Sequence, residues 1–342
     1  MADLGVIAIG RNEGERLRRC LTSVVGRPGC VVVYVDSNST DGSVAMAREM
    51  GAEVVELDMS IPFSAARARN EGFERLMRVA PDVTFVQFID GDCEVVAGWT
   101  DTARAALAAR PELAIVCGRR RERYPDKSIY NKLADIEWDT PVGDAKACGG
   151  DAMTRVEAFK QVGGYDPAVI AGEEPEMCVR LRAKGWKIAR LDAEMTLHDA
   201  DMTRFGQFWK RMVRSGHAYA EGNRMHGRPP ERHWAKQVRG IVVWAIVIPL
   251  IIVLLAALSP LFSPLSLGAA ALVLLYPLQI ARIAIRDGRR RKLPPRDAWA
   301  YAASVTIGKF AQAIGAMKFW TGKLRGKRSA LIEYKSAAAP AA

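Results

Sequence analysis

Two aspartates separated by one glycine, Asp90-Gly91-Asp92, close the apolar run Phe85-Val86-Gln87-Phe88-Ile89. Alternation along an extended chain lets both carboxylates project near one point, and Gly91 permits close backbone approach. Hard oxygen ligands of this kind suit Mg2+ or Mn2+, ions commonly held by one or two carboxylates together with substrate phosphates. Such an ion would act as a Lewis acid and neutralise a departing diphosphate. Taken alone, an Asp-x-Asp turn is also what local turn preference produces. A second acidic pair, Glu173-Glu174, follows Gly172 near the start of a helical pattern, where the helix dipole favours negative charge whatever its role. His198, in Leu197-His198-Asp199, is either a further metal or diphosphate contact or an ordinary hydrogen-bonding histidine. Asp151, in Gly149-Gly150-Asp151, reads equally as an acceptor contact and as a turn aspartate.

These groups act together only if the chain gathers them. Short runs rich in β-branched residues alternate with helical patterns: Val6–Ile9 then Glu13–Val25, Val31–Val35 then Gly42–Met50, Val54–Leu57 then Ser64–Val79, and Val83–Ile89. This rhythm predicts strand–helix units around a buried, mostly parallel central sheet, an α/β fold. Ligands of such sheets bind at the carboxyl ends of the strands. Arg11-Asn12-Glu13, Asp36-Ser37-Asn38 and Asp90-Gly91-Asp92 should therefore share one crevice. After about Leu113 the rhythm becomes irregular, with glycine-rich breaks before a helical stretch Glu176–Lys184. That part is read as the second half of the same domain, shaping an acceptor pocket.

The charge is divided along the chain. Residues 1–203 carry 26 Lys/Arg against 33 Asp/Glu and residues 204–342 carry 23 against 5, balances of −7 and +18 behind the overall +11. An acidic, enzymatic front and a rear that meets anionic phosphate follow from this asymmetry. Phe205–Ala220 interleaves aromatic and cationic residues and suits either a membrane interface or an ordinary helix covering a core. Ile241–Leu258 and Leu265–Ile280 are apolar runs separated by Ser259-Pro260-Leu261-Phe262-Ser263-Pro264, which predicts a transmembrane or re-entrant hairpin; the alternative is a buried core hairpin. Basic clusters on both outer flanks place both ends in the cytosol. Between Trp299 and Trp320 a third segment is too interrupted to span and is expected to lie in the interface, followed by a basic, Ala-rich, disordered tail. The six cysteines show no CxxC spacing, which fits a reducing compartment.

Several of these stretches occur together in a fixed order, and in that order they resemble the family 2 glycosyltransferases of the GT-A fold, in their membrane-anchored bacterial form. Val6-Ile7-Ala8-Ile9-Gly10-Arg11-Asn12-Glu13 is similar to their first strand and nucleotide loop, and Val35-Asp36-Ser37-Asn38-Ser39-Thr40-Asp41-Gly42-Ser43 to their Asp-Asp-Gly-Ser-Thr-Asp-Gly-Thr segment. Arg69-Asn70-Glu71-Gly72 matches their Arg-Asn-x-Gly step, Asp90-Gly91-Asp92 their Asp-x-Asp, and Gly172-Glu173-Glu174-Pro175-Glu176 their Glu-Asp-x-Asp helix start. The resemblance covers about residues 5–199. It implies that Asn12, Glu13, Asp36, Arg69 and Asp90 bind a nucleotide-diphosphate sugar. It further implies that Asp90 and Asp92, with His198, hold Mg2+ or Mn2+, and that transfer is a single displacement with inversion. Glu174, assisted by Glu173, is then the base that deprotonates the acceptor, with Asp151 near the acceptor.

Ser37 replaces a second aspartate that contacts the base in many members, and Glu174 replaces the commoner aspartate. The processive Gln-x-x-Arg-Trp motif is unmatched by Gln207-Phe208-Trp209-Lys210-Arg211, so transfer of one sugar is expected. The domains read as 1–203 catalytic, 204–240 amphipathic and basic, 241–285 transmembrane hairpin, and 286–342 basic interfacial helix and tail. The expected partners are the donor, a lipid-linked or membrane-proximal glycan acceptor and anionic lipid at the cytoplasmic membrane, with the catalytic domain in the cytosol and no nucleic acid bound. Two rival classes are a nucleotidyltransferase, for which Gly10-Arg11-Asn12-Glu13-Gly14 is a poor phosphate loop, and a noncatalytic membrane binder using Arg289-Arg290-Arg291-Lys292.

Overall fold

The computed structural model describes residues 3–326. Within them the chain divides into two compact units, residues 3–127 with Glu137–Asp201, and Ser128–Ile136 with residues 202–326.

The first unit opens with the alternation its sequence predicts: β1 (Leu4–Gly10), α1 (Glu15–Thr22), β2 (Cys30–Asp36), α2 (Ser43–Glu49), β3 (Glu53–Glu56), α3 (Ala65–Val79) and β4 (Phe85–Asp90). There follow in chain order β5 (Cys93–Val95), α4 (Trp99–Ala109), β6 (Leu113–Glu122), α5 (Ile129–Trp138, most of which belongs to the second unit), β7 (Gly143–Asp144), β8 (Ala152–Arg155), α6 (Val156–Gln161), α7 (Glu173–Ala183) and β9 (Lys187–His198). The strands lie in the order β3-β2-β1-β4-β8-β6-β9-β5, with β7 beside β9. β3, β2, β1 and β4 are mutually parallel, as are β6 and β9, whereas β8 runs antiparallel between β4 and β6, and β5 and β7 run antiparallel to β9. The central sheet is thus mostly parallel, as expected. The irregular sequence after Leu113 reflects the reversed strand β8 inserted into its middle.

Chain order reverses at β1, which pairs with β2 on one side and β4 on the other. The register sets Gly10 beside Asp36 and Ile9 beside Asp90. This is the switch point at which open α/β sheets form a ligand crevice. Val6, Ile7 and Ala8 of β1 are fully buried, as are Val33 and Val35 of β2, because helices cover both faces of the sheet. Ser64 caps α3 by accepting from the Arg67 N–H at 3.2 Å. That helix presses close to the sheet at Gly72, where a Cβ would stand 2.6 Å from Ile7 Cγ2 and 2.8 Å from Val35 Cγ2.

The second unit is helical: α8 (Phe205–His226), α9 (Ala235–Val242), one π turn at Val243–Val247, α10 (Ile248–Leu258), α11 (Pro264–Arg291) and α12 (Pro295–Leu324). Ala235–Leu258 and Pro264–Arg291 are long and apolar enough to cross a membrane. Leu250, Val253, Leu254, Leu267 and Leu278 are 57–75 % exposed, the reverse of a buried core hairpin. Residues 128–136 join this unit through the Tyr130–Phe208 ring contact, the Asn131 side chain accepting from the Met202 N–H at 3.0 Å, and Arg291 donating to the Ile136 carbonyl at 2.8 Å. The segment between Trp299 and Trp320, expected in the interface, leaves Trp299, Ile307, Met317 and Trp320 42–53 % exposed. It is the middle of α12, packed along α8 by small residues. A Cβ on Gly315 would lie 1.9 Å from the Val213 carbonyl oxygen, and one on Gly216 would lie 2.0 Å from that of Gln312. The contact with α8 has little signal in the sequence, because Gly and Ala carry little hydrophobicity. Of the expected basic tail, the part beyond residue 326 lies outside the described residues.

Gly72→Ala should destabilise the protein by about 1–3 kcal/mol, because β-branched Ile7 and Val35 cannot yield the space. Gly206, with nothing within 4 Å of an added Cβ, should tolerate Ala within about 0.5 kcal/mol. Thermal melts of both variants in detergent check the contrast; equal melting temperatures would refute the packing argument.

Candidate functional site

Parallel pairing of β1 with β2 brings two loops together. Ser37 N–H donates to the Gly10 carbonyl at 3.0 Å, Asn12 N–H to Ser39 Oγ at 2.8 Å, and Thr40 N–H to Asn12 Oδ1 at 2.7 Å. Asn12 adopts a left-handed backbone, φ 53°, which asparagine tolerates better than most residues. Asp36 is buried; its carboxylate accepts from the Tyr34 hydroxyl and the Ser39 N–H, at 2.8 and 2.7 Å. Burial, then the adjacent Asp36 charge, pushes the Tyr34 hydroxyl pKa up, so it remains a donor. Glu13 pairs with Arg16 at 2.8 Å, and its stem lies beside Gly10 and Gly91. Gly91 donates to the Ile9 carbonyl at 2.8 Å, and a Cβ there would stand 3.1 Å from the same oxygen.

At the centre stands Arg69, 3 % exposed. One guanidinium nitrogen meets Asp90 Oδ1 at 2.7 Å and another Glu173 Oε1 at 2.6 Å, while the Tyr165 ring covers the group with its centroid 5.6 Å away. Burial alone would lower the Arg69 pKa, but Asp90 and Glu173 together raise it above the ordinary value. Gly150 leaves the approach open, since a Cβ there would lie 2.8 Å from the Arg69 Nη2.

Antiparallel β8 delivers Asp151 to the other side of Asp90. Asp151 has no exposed surface: Oδ1 accepts from the Asp90 N–H at 3.2 Å, and Oδ2 meets the Thr196 hydroxyl and Arg120, each at 2.8 Å. Its Oδ1 thus holds the backbone of Asp90, while Oδ2 anchors the carboxylate itself. The carboxyl end of β9 carries His198, paired in register with Cys93 on one side and Glu122 on the other. His198 Nε2 stands 3.4 Å from Asp92 Oδ2, Nδ1 faces Glu122 Oε2 at 3.9 Å, and the Trp138 ring meets the imidazole edge-on, centroids 4.7 Å apart. Nδ1 has no hydrogen-bond partner among the described residues.

The residues near Asp92 fit a divalent ion. Ligand atoms at right angles around an octahedral ion at about 2.1 Å lie about 3.0 Å apart, so the observed 3.4 Å between carboxylate oxygen and imidazole nitrogen needs little closure. A proton on Nδ1, facing Glu122, leaves the Nε2 lone pair for the ion, the usual arrangement of a ligating histidine backed by a carboxylate.

The two glutamates at the head of α7 diverge. Glu173 turns to Arg69. Glu174, 3 % exposed, accepts on Oε1 from the Cys148 N–H at 2.7 Å and from the Cys148 and Cys178 thiols, each at 2.8 Å. Burial raises both thiol pKa values, that of Cys178 to about 11. Sequence reasoning missed Arg120, Glu122, Trp138, Cys148, Cys178 and Thr196. Only the run Arg119-Arg120-Arg121 at the end of an apolar strand could have signalled one of them.

With this geometry in place, comparison with known proteins gives a consistent result. Residues 6–163 match the model of Glycosyl transferase family 2, and residues 132–204 that of the N-terminal domain of galactosyltransferase. The chain is 28 % identical over 207 residues to succinoglycan biosynthesis protein ExoA of Rhizobium meliloti (strain 1021), covering 57 % of this chain and 61 % of that protein. It is 26 % identical over 214 residues to pre-mycofactocin glycosyltransferase of Mycobacterium tuberculosis, covering 58 % and 43 %. The match thus spans less than two thirds of either relative. A mannosyltransferase from Pyrobaculum calidifontis, solved in complex with GDP-Man and Mn2+, shares the fold at TM-score 0.58 and 20 % identity, over 89 % of this chain and 86 % of that one.

Arg69→Met should cost about 3–5 kcal/mol, because it takes the cation from buried Glu173 and the nearer of two guanidinium groups from Asp90. Arg69→Lys should restore part of the loss, since a single ammonium cannot match the planar two-way contact. Chemical denaturation of the three proteins checks this; an Arg69→Met variant as stable as the parent would show that the pairing is not structural.

Proposed function

The first unit of this chain belongs to glycosyl transferase family 2, and from that premise we propose that the protein transfers a single sugar, with inversion, from a nucleotide-diphosphate sugar to a lipid-linked or membrane-proximal glycan acceptor. The observation that carries the proposal is the meeting of five groups: Arg69 between Asp90 and Glu173, with Asp92, close to Asp90 in sequence, paired with His198.

The donor's nucleoside is assigned to the paired loops of Asn12 and Asp36, with Glu13 bracing their base. Asp36, already satisfied by Tyr34 and Ser39, is held in one orientation and presents the remaining lone pairs of its carboxylate to a ribose or base donor. Asp90 and Arg69 face the diphosphate. Asp92 and His198, with Asp90, would hold Mg2+ or Mn2+, which as a Lewis acid takes up charge on the departing diphosphate. Asp151, expected beside the acceptor, has no exposed surface, and its proposed role is instead to fix the backbone on which Asp90 sits.

For the acceptor, Glu174 is the base. Every hydrogen bond it makes among the described residues ends on Oε1, which leaves Oε2 to take the hydroxyl proton as the oxygen attacks the anomeric carbon. Glu173 is committed to Arg69 and serves as a positioning group. Membrane attachment through α10 and α11 would raise the effective concentration of a membrane-borne acceptor. The basic residues on either flank of that hairpin favour a cytosolic catalytic unit.

Detergent-purified protein incubated with a panel of nucleotide-diphosphate sugars should release nucleoside diphosphate from one donor, dependent on Mn2+ or Mg2+ and lost in Asp92→Ala. Glu174→Gln should keep donor binding within about twofold and lower transfer by about 10²–10⁴. Full activity in Glu174→Gln would refute the base assignment. Neither release nor binding across the panel would point instead to a noncatalytic membrane protein, and pyrophosphate as product to nucleotidyl transfer.

A further inference from the structure

Behind Glu174 lies a second cluster of ligating atoms that the transfer reaction does not itself require. Cys148 comes from the loop before β8, and Cys178 stands one turn beyond Glu174 on α7. Each sulfur lies 2.8 Å from Glu174 Oε1, and the two sulfurs are 3.9 Å apart. Glu174 and Cys178 are buried, whereas Cys148 is half-buried and offers the way in from solvent.

We propose that Cys148, Cys178 and Glu174 form a site for a thiophilic divalent cation of the Zn2+ class, separate from the Asp92–His198 pair, whose occupation disables Glu174. Tetrahedral zinc at about 2.3 Å from each sulfur sets the sulfurs about 3.8 Å apart, against 3.9 Å observed. The oxygen has further to go. A sulfur–oxygen edge of such a site measures about 3.5 Å, so each distance from Oε1 to a sulfur must lengthen by about 0.7 Å from its present hydrogen-bonded 2.8 Å. On binding, two S–H bonds break and their protons pass to solvent. Two metal–sulfur bonds and one metal–oxygen bond form, water fills the fourth position, and no electron is transferred.

Ligand softness separates the two sites: paired sulfurs select Zn2+, whereas carboxylate oxygens and a single imidazole suit Mn2+ or Mg2+. The consequence for turnover rests on the reading of Glu174 as base. With Oε1 bound to the cation, the carboxylate loses charge and position together, so Zn2+ inhibits transfer even when Mn2+ is present.

The test uses the full chain in detergent with Co2+ as probe, because a thiolate-to-cobalt charge-transfer band reports sulfur ligation directly. The band should saturate at one equivalent, be displaced by Zn2+, survive Cys93→Ser and disappear in Cys148→Ser. Cys93 is the informative control because its thiol lies 3.6 Å from Asp92 Oδ1. In the unmodified protein, Zn2+ should also protect Cys148 from alkylation, read by peptide mass. Absence of the band from the parent protein, its persistence in Cys148→Ser, or alkylation of Cys148 unchanged by Zn2+ would overturn the site. None of these readouts involves a sugar donor, so failure here is distinguishable from failure of the transferase reading.

Discussion

A guanidinium almost sealed from water is tolerable only if negative charge closes on it, because the desolvation of an unpaired buried ion costs several kcal/mol. Arg69 is such a group, and its two partners come from parts of the chain far apart in sequence: Asp90 ends β4 and Glu173 begins α7. Their meeting fixes three elements at one point. It also explains two glycines. Gly72, one turn after Arg69, lets α3 lie against Ile7 and Val35, and Gly150 keeps side-chain atoms out of the space that the guanidinium occupies. A larger residue at either position would shift the cation relative to its carboxylates.

How much of this the sequence disclosed depends on whether the information is local. The alternation of apolar runs and helical patterns specified β1 to β4 well. Since polar residues just after parallel strands share one edge of the sheet, Asn12, Asp36 and Asp90 could be placed together before any geometry was known. The other half of the site depends on pairings with no local signature. β8 is four residues long and reversed, and its role is visible only once Asp151 is found under the backbone of Asp90. β9 runs 12 residues, with register shifts against β6. Those shifts bring His198 level with Glu122, a relation that no periodicity conveys.

The same distinction explains the second unit. Apolar length reveals α10 and α11, because a hydrophobic run is legible residue by residue. The packing of α12 on α8 is governed instead by what is missing, the side chains of Gly216 and Gly315, whose absence lets two backbones touch. Small residues in such stripes are read easily once two helices are known to cross and are inconspicuous before that. The sequence therefore marks the exposed Met317 and Trp320, 53 % and 48 % accessible, more plainly than the glycines that set the helix contact.

The adjacent glutamates at the head of α7 show how one helical turn divides two roles. Successive residues on a helix point about 100° apart, so Glu173 and Glu174 cannot serve the same partner. Glu173 faces a cation and could accept a proton only by giving up its ion pair with Arg69. Glu174 faces neutral thiols and a backbone N–H, all of which bond the same oxygen, so its other oxygen can receive a proton without breaking any of them. The arrangement that fixes Arg69 thus commits one glutamate to an ion pair and, through the helix geometry, turns the other toward neutral donors.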